Sequence, residues 1–236
     1  MDSQHIADDY DASFYEGYGG RLNQYWWARR FYANLIKRYR DGGRLLEIGC
    51  GLGHVLARLE DQFETYGVDV SPFAIEQARK NSPRSVLQTG TAEEIASLPG
   101  PFDVIATFHV VEHVVDPGEM LAACGRVTRP GGLLVFATPN PEAPRAKAKG
   151  DKWYGIVPTH ISLKPPREWV SLTEQAGYRI VKTFGDGLWD PPYVPIIPTV
   201  IQRLVFGFPA AVQAMSCVPF IPTRFGEAVL VVAERE

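Results

Sequence analysis

Cysteine is scarce in this chain. Cys50, Cys124 and Cys217 are the only three among 236 residues, an odd number, widely spaced. No Cys-x-x-Cys pair and no Cys/His zinc spacing occurs, which excludes a disulfide scaffold and a zinc module. Excess charge of one sign is also missing. The 24 Lys and Arg oppose 27 Asp and Glu, a formal net charge of −3, so no global basic field recruits nucleic acid. Internal repeats, low-complexity tracts and a Ser/Gly linker are lacking, so nothing splits the chain into two domains. The opening MDSQHIADDYD is acidic and polar, unlike a secretory signal, and a reducing cytoplasm is the expected setting. One local absence is unusual: the 20 residues between Arg203 and Arg224 carry no formal charge.

What is present is otherwise ordinary. Hydrophobic residues are 45% and charged residues 22%, enough to bury a core. Residues 1–23 hold five acids and only Arg21 as a base, whereas 24–40 hold Arg29, Arg30, Lys37, Arg38 and Arg40 and no acid. Trp27, Phe31 and Leu35 recur at helical spacing there, which predicts an amphipathic helix with a basic back. Packing on the domain edge, a site lid and a membrane-surface contact are its open roles.

From Gly43 a strand–helix alternation begins. Apolar strands are expected at 44–48, 65–70, 85–88, 102–108 and 133–138. Helices are expected from the glycine turn through Leu59, from Ser71-Pro72, over 92–98, and from Asp116-Pro117. Near-continuous apolar strands separated by helices predict a parallel sheet covered on both faces. A further helix stops at Gly177, and the last two strands fall at 178–184 and 228–233. Some 40 residues lie between those strands, far more than a hairpin loop needs.

The chemistry-bearing segment is Glu47-Ile48-Gly49-Cys50-Gly51-Leu52-Gly53, a glycine turn after a strand. Such turns let the backbone approach a ligand at the carboxyl edge of an open sheet. His54 stands where a dinucleotide fingerprint would place its third glycine. Asp69 ends the second strand, where a carboxylate can accept hydrogen bonds from ribose hydroxyls. The segments LLEIGCGLGHVL, YGVDVSPFAIEQAR, PFDVIATFHVVEHVVDP and RPGGLLVFATPNP resemble the class I S-adenosylmethionine-dependent methyltransferases over about residues 43–185. The later KWYGIVPTHISLKPPREWVSLTEQAGY is similar to ubiquinone-pathway O-methyltransferases and to envelope-glycan-cluster methyltransferases.

That resemblance implies an α/β fold: a Rossmann-like seven-stranded sheet with helices on both faces. It implies one methyltransferase domain over 1–236, with an N-terminal helical cap (1–42), a cofactor-binding core (43–185), an apolar lid or insertion (186–226) and a last strand (227–236). The implied cofactor is S-adenosylmethionine, released as S-adenosylhomocysteine. Gly49, Gly51 and Gly53 would pass under its methionine and ribose, Glu47 would help position the methionine end, and Asp69 would hold the ribose. Val70 would lie against the adenine, and Thr91 and Ala92 fall where many relatives place an adenine-contacting Asp. Phe108, His109 and Val110 would flank the sulfonium.

A sulfonium methyl is already electrophilic, so the protein must align an acceptor and take its proton, a task suited to histidine. His54, His109, His113 and His160 all fall near the inferred site, and His113 and His160 are the candidate catalytic residues. His109-x-x-Glu112-His113 with a distant His160 also has a divalent-metal pattern. A similar Glu-x-x-Glu-His is associated with a metal in small-RNA 2′-O-methyltransferases and some ubiquinone-pathway relatives. Here His109 replaces the first Glu, and base, orienting, metal-binding and structural roles stay open. Arg145, Lys147, Lys149 and Lys152 read as a basic loop, either solvated or touching an anionic substrate.

Residues 193–223 contain one charge and five prolines. That is long enough for a membrane span, but if the two flanking strands lie in one sheet the chain must leave and return on the same side, and Pro209, Pro219 and Pro222 should interrupt a helix. A lid over an apolar acceptor pocket, an interfacial hairpin in peripheral membrane contact and a homodimer contact stand as alternatives. The expected function is methyl transfer to oxygen of a small, apolar or lipid-linked acceptor, with no nucleic-acid partner. The competitors are a non-catalytic S-adenosylmethionine-binding regulator and a metal-assisted RNA 2′-O-methyltransferase.

Overall fold

In the computed structural model the described residues are 14–15, 26–91, 94–95, 98–150, 153, 155–189 and 191–236. Most of the acidic segment 1–23, His5, Ala92 and Lys152 lie outside them. Seven strands form one sheet: β1 (Gly43–Ile48), β2 (Phe63–Asp69), β3 (Val86–Thr89), β4 (Phe102–Phe108), β5 (Thr128–Pro139), β6 (Tyr178–Gly185) and β7 (Ala228–Arg235). Their order is β3-β2-β1-β4-β5-β7-β6. The first five run parallel, and β7 is antiparallel to both of its neighbours. The α-helices among the described residues include α1 (Trp26–Tyr39), α2 (Pro72–Asn81), α3 (Pro117–Val127), α4 (Pro144–Lys149), α5 (Pro166–Gln175) and α6 (Thr199–Ser216).

Strand alternation explains the layers. In β1, Leu45 faces a core shared with Phe31, Leu35 and Ile36 of α1 and Ile75 of α2. Its neighbour Leu46 faces the opposite core, with Leu121 and Cys124 of α3 and Trp169 of α5. Both faces of the central strands are therefore largely apolar, with Glu47 of β1 and Asp103 and Thr107 of β4 as buried polar exceptions. Two helix starts form as the sequence predicts. The Ser71 hydroxyl accepts the Ala74 N–H at 3.2 Å, and the Asp116 carboxylate accepts the Glu119 N–H at 3.0 Å.

Three local expectations are corrected. The glycine turn opens only a short 3₁₀ turn, Leu56–Arg58, not an α-helix. Residues 54–62 must descend the full sheet to reach β2, and tight i→i−3 bonds such as Leu59 N–H to Leu56 C=O close that distance. The basic loop begins as α4, with Arg145 buried and donating to the Pro192 carbonyl at 2.9 Å. Pro209 does not interrupt α6, which runs through it. Its missing N–H would have bonded Val205, and both residues lie on the exposed side, so no buried carbonyl is stranded.

The chain turns back between β1 and β4, sending β2 and β3 to one side and β5, β7 and β6 to the other. The loops leaving β1 and β4 diverge there and open a crevice at the carboxyl edge. Because β7 is antiparallel, its first residue, Ala228, sits at that same edge opposite Pro139.

Candidate functional site

The glycine turn is held against β2. The amides of Gly49 and Cys50 both donate to the Val68 carbonyl, at 2.8 and 3.1 Å. Gly49, Gly51 and Gly53 have φ of +69°, +51° and +76°, a region that favours glycine. A Cβ on Gly49 would stand 2.2 Å from Val110 Cγ2, and one on Gly53 2.7 Å from the Ser82 hydroxyl. A Cβ on Gly51 would meet nothing within 4 Å among the described residues. Gly49 and Gly53 are thus packing glycines, and Gly51 borders open space.

Two buried carboxyls face this turn. Asp69 Oδ2 accepts the Gly51 N–H at 2.8 Å and Oδ1 the Ser71 N–H at 2.9 Å. Each oxygen has a second lone pair for another donor. Burial pushes the Asp69 carboxyl up, against the pull of those two amides. Glu47 is buried, and its Oε2 has no hydrogen-bond partner among the described residues. Burial first and the neighbouring Asp69 second hold its pKa well above the ordinary value, opposed by the Leu56 amide and Arg29. Val70 follows β2, half-buried, and the Thr91 N–H is spent on Glu94 Oε2 at 2.9 Å. Ala92 lies outside the described residues.

The end of β4 forms the opposite wall. Phe108 stacks on Tyr32 of α1 at 4.1 Å, and the Tyr32 hydroxyl bonds His109 Nε2 at 2.9 Å. His109 adopts φ +59°, unusual for a residue with a side chain. Its Nδ1 lies 3.6 Å from Oε1 of Glu112, which is fully buried. The other Glu112 oxygen accepts the Thr138 hydroxyl at 3.0 Å. Burial alone would raise Glu112, but the hydrogen bond and charge of His109, then the charge of His113, hold it below the usual range. Burial lowers His109, and Glu112 and Asp186 together outweigh it, raising the imidazole. His109 still keeps 43% of its side chain accessible, as a group walling an open crevice should.

His113 and His160 are brought together as predicted, their rings edge-to-face at 4.7 Å. His113 Nδ1 contacts the Thr159 carbonyl at 2.9 Å, and His160 Nδ1 contacts the Gly155 carbonyl at 2.7 Å. A carbonyl only accepts, so both Nδ1 atoms carry the proton and both Nε2 atoms are basic. Burial, more than any charge, lowers the His113 pKa. One ligand atom each from Glu112, His113 and His160 lie within 4.8 Å of one another, and Glu112 Oε1 has His109 Nδ1 at 3.6 Å and no closer hydrogen-bond partner among the described residues. This donor set suits a divalent cation of borderline hardness. His54 stands apart; Arg29 and Arg58 are the charges acting on it.

Sequence reasoning missed Tyr32, Asp186 and Glu227. Asp186 follows β6 and accepts the Ala228 N–H at 2.8 Å; burial pushes its carboxyl up to about 7. Glu227 precedes β7 and accepts the Tyr193 hydroxyl at 2.7 Å. An antiparallel β7 would have placed both acids at the carboxyl edge, but strand direction is not written in the residues themselves.

A family profile described as a methyltransferase domain matches residues 23–183. The ubiquinone biosynthesis O-methyltransferase of Caulobacter sp. (strain K31) is 44% identical over 108 residues, 42% of this chain and 42% of that protein. The enzyme of the same name from Cereibacter sphaeroides (strain ATCC 17025 / ATH 2.4.3) is 39% identical over 122 residues, 48% of this chain and 49% of that protein. The chain thus matches less than half the length of these curated relatives. The magnesium protoporphyrin IX methyltransferase of Synechocystis PCC 6803, solved with bound S-adenosylhomocysteine, covers 100% of both chains at TM-score 0.65 and 12% identity, a likeness of fold alone.

Proposed function

This chain belongs to the methyltransferase-domain family, and on that premise we propose that it transfers a methyl group from S-adenosylmethionine to a hydroxyl of a small, apolar or lipid-linked acceptor. Two features of the crevice fit the cofactor. Open space over Gly51 is a cradle that a Cβ would fill, and the orphaned Glu47 Oε2 suits a cationic amine donor. Asp69 keeps lone pairs for ribose hydroxyls while it holds the turn. When bound, the sulfonium supplies an electrophilic methyl: the C–S bond breaks as the C–O bond forms, leaving a neutral thioether.

The observation that carries the oxygen chemistry is the paired tautomer. Thr159 and Gly155 fix the Nδ1 protons, so His113 and His160 present basic Nε2 atoms. One imidazole takes the acceptor's proton as the C–O bond forms, and the other orients the hydroxyl. Phe108 and Tyr32, stacked on each other, wall the crevice. Methylation at oxygen is also what the names of the Caulobacter and Cereibacter relatives state. Three free cysteines suit the reducing cytoplasm in which we place the protein.

The test is a labelled-methyl assay against lipid-extract fractions. His113→Ala and His160→Ala should lower turnover about 10²-fold or more and leave S-adenosylhomocysteine affinity within about threefold. Unchanged turnover in both variants sinks the base assignment, and cofactor binding without product in any fraction favours the regulatory alternative. The Glu112, His113 and His160 cluster supports a second reading, in which these three hold a divalent cation. Such a cation supplies Lewis-acid activation of the acceptor hydroxyl when bound. Turnover lost on chelation and restored by Mg²⁺ or Mn²⁺ selects that reading.

A further inference from the structure

Helix α6 is built inside out. Its inward face carries Gln202, Gly207, Ala210 and Gln213, all buried. Its outward face carries Val200, Leu204, Phe208 and Met215, each more than 60% exposed. Ile196, just before the helix, is 90% exposed, and Phe220 lies exposed just after it. An ordinary surface helix has the opposite arrangement.

This orientation is fixed by the two glutamines. The Gln202 amide accepts the Tyr193 and Val194 N–H groups and donates to the carbonyls of Val194 and Ile197. The Gln213 amide donates to the Gly185 carbonyl at 2.8 Å and accepts the N–H groups of Phe220 and Ile221 at 2.9 and 3.0 Å. Turning the apolar face inward would break all seven bonds and leave loop backbone unpaired. The outward apolar face is therefore the stable arrangement.

Charge and topology identify what covers it. Residues 191–226 contain two charges, Arg203 and Arg224, and no acid. Arg38 and Lys182 add two exposed cations around a depression shared with Val218 and Pro219, beyond the helix C-terminus. Among the described residues, the charged side chains beside this apolar face, Arg203 along it and Arg38 and Lys182 past its end, are cations, which complements an anionic lipid surface. A second copy fits poorly: a two-fold contact brings the patch against itself, with Arg203 meeting no acid among the described residues of 191–226. No helix among the described residues is long and apolar enough to cross a membrane. The insertion also leaves and returns at one place, since Gly185 pairs with Val229.

We propose that α6 and its flanking residues lie flat on an anionic bilayer, holding the carboxyl edge of the sheet, where Asp186 and Glu227 begin and end the insertion, close to the lipid. The proposal stands on the helix and goes beyond the methyl-transfer reading, because vesicle binding needs neither donor nor acceptor. The experiment is flotation of the full chain with vesicles of phosphatidylcholine mixed with phosphatidylglycerol, against pure phosphatidylcholine. The protein should float with the mixed vesicles, weakly with the neutral ones, and less as salt rises. Leu204→Ser/Phe208→Ser and, separately, Arg203→Glu should each lower partitioning about tenfold or more. Both should keep the wild-type melting temperature and S-adenosylhomocysteine affinity, since these side chains are exposed. Equal binding by the variants, equal binding to neutral vesicles, or no flotation overturns the proposal. A dimer in sedimentation that Leu204→Ser/Phe208→Ser turns into a monomer, with no vesicle binding, overturns it in favour of a second copy.

Discussion

Substituting Gly51 and Gly53 one at a time separates cofactor contact from turn geometry. Both have positive φ, so an alanine at either position costs about 1–2 kcal/mol of backbone strain, offset by about 0.4–1 kcal/mol from the stiffer unfolded chain. For Gly51 that is the whole effect, because a Cβ there touches none of the described residues within 4 Å. Gly51→Ala should thus lose about 1 kcal/mol or less, roughly 2–4 °C in melting temperature for a domain of this size. At Gly53 the Cβ would stand 3.0 Å from Ala78 Cβ and 3.1 Å from Ala78 Cα, and helix α2 would have to shift. Overpacking adds about 1–3 kcal/mol, for a total of about 2–4 kcal/mol, so Gly53→Ala should fall by roughly 4–16 °C. Cofactor affinity should rank the other way. The new methyl on Gly51 projects into the space assigned to the cofactor, and a loss of about tenfold, or ~1.4 kcal/mol, is expected for S-adenosylhomocysteine. Calorimetric titration and thermal unfolding of the two variants at one temperature and buffer decide it. Gly51→Ala binding with wild-type affinity would falsify the placement of the ligand over this turn.

Two other measurements bear on the acids at the crevice. Asp69→Asn keeps the shape but turns one acceptor oxygen into a donor, facing the Gly51 or Ser71 amide; cofactor affinity should fall about tenfold or more, and an unchanged dissociation constant removes Asp69 from the site. Asp186, raised to about 7 from an ordinary 3.8, favours the folded state while protonated. Its stabilisation is full below pH 4 and lost as pH rises through about 7. Discounted for partial exposure, the loss between pH 5 and pH 8 is on the order of 2 kcal/mol in urea denaturation. Asp186→Asn should flatten that slope, and a variant whose slope matches wild type rejects the assignment.

The parts of the site that the sequence foreshadows share one property: each is local. Gly49, Gly51 and Gly53 sit within five residues, and Asp69 closes the next strand. His113 lies four residues beyond His109. His160 is distant, yet it belongs to a recognisable segment. The residues that escaped are set by tertiary direction. Tyr32 sits beside Phe31 on a helix whose apolar spacing reads as core, and only the packed fold turns its hydroxyl to His109. Asp186 and Glu227 look like ordinary loop acids until β7 runs antiparallel and brings both to the crevice. The 3₁₀ turn at Leu56–Arg58 has the apolar spacing of a helix, and the distance to β2 decides against it.

Helix α6 shows the same limit in a sharper form. Hydrophobic spacing says that a helix has two unlike faces; it does not say which one is inside. The usual assumption, apolar inward, makes 193–223 a lid packed over a pocket. Two buried glutamines reverse it, because an amide that satisfies three or four backbone groups holds its place more firmly than an aliphatic side chain that any apolar neighbour could replace. In a sequence of low charge, then, the few polar residues are the better guide to orientation. Here they place Leu204 and Phe208 on the outside, while Arg145 pins the start of the insertion through the Pro192 carbonyl. The insertion is thus a braced surface that leaves the sheet after Gly185, beside Asp186, and returns at Glu227, just before Ala228.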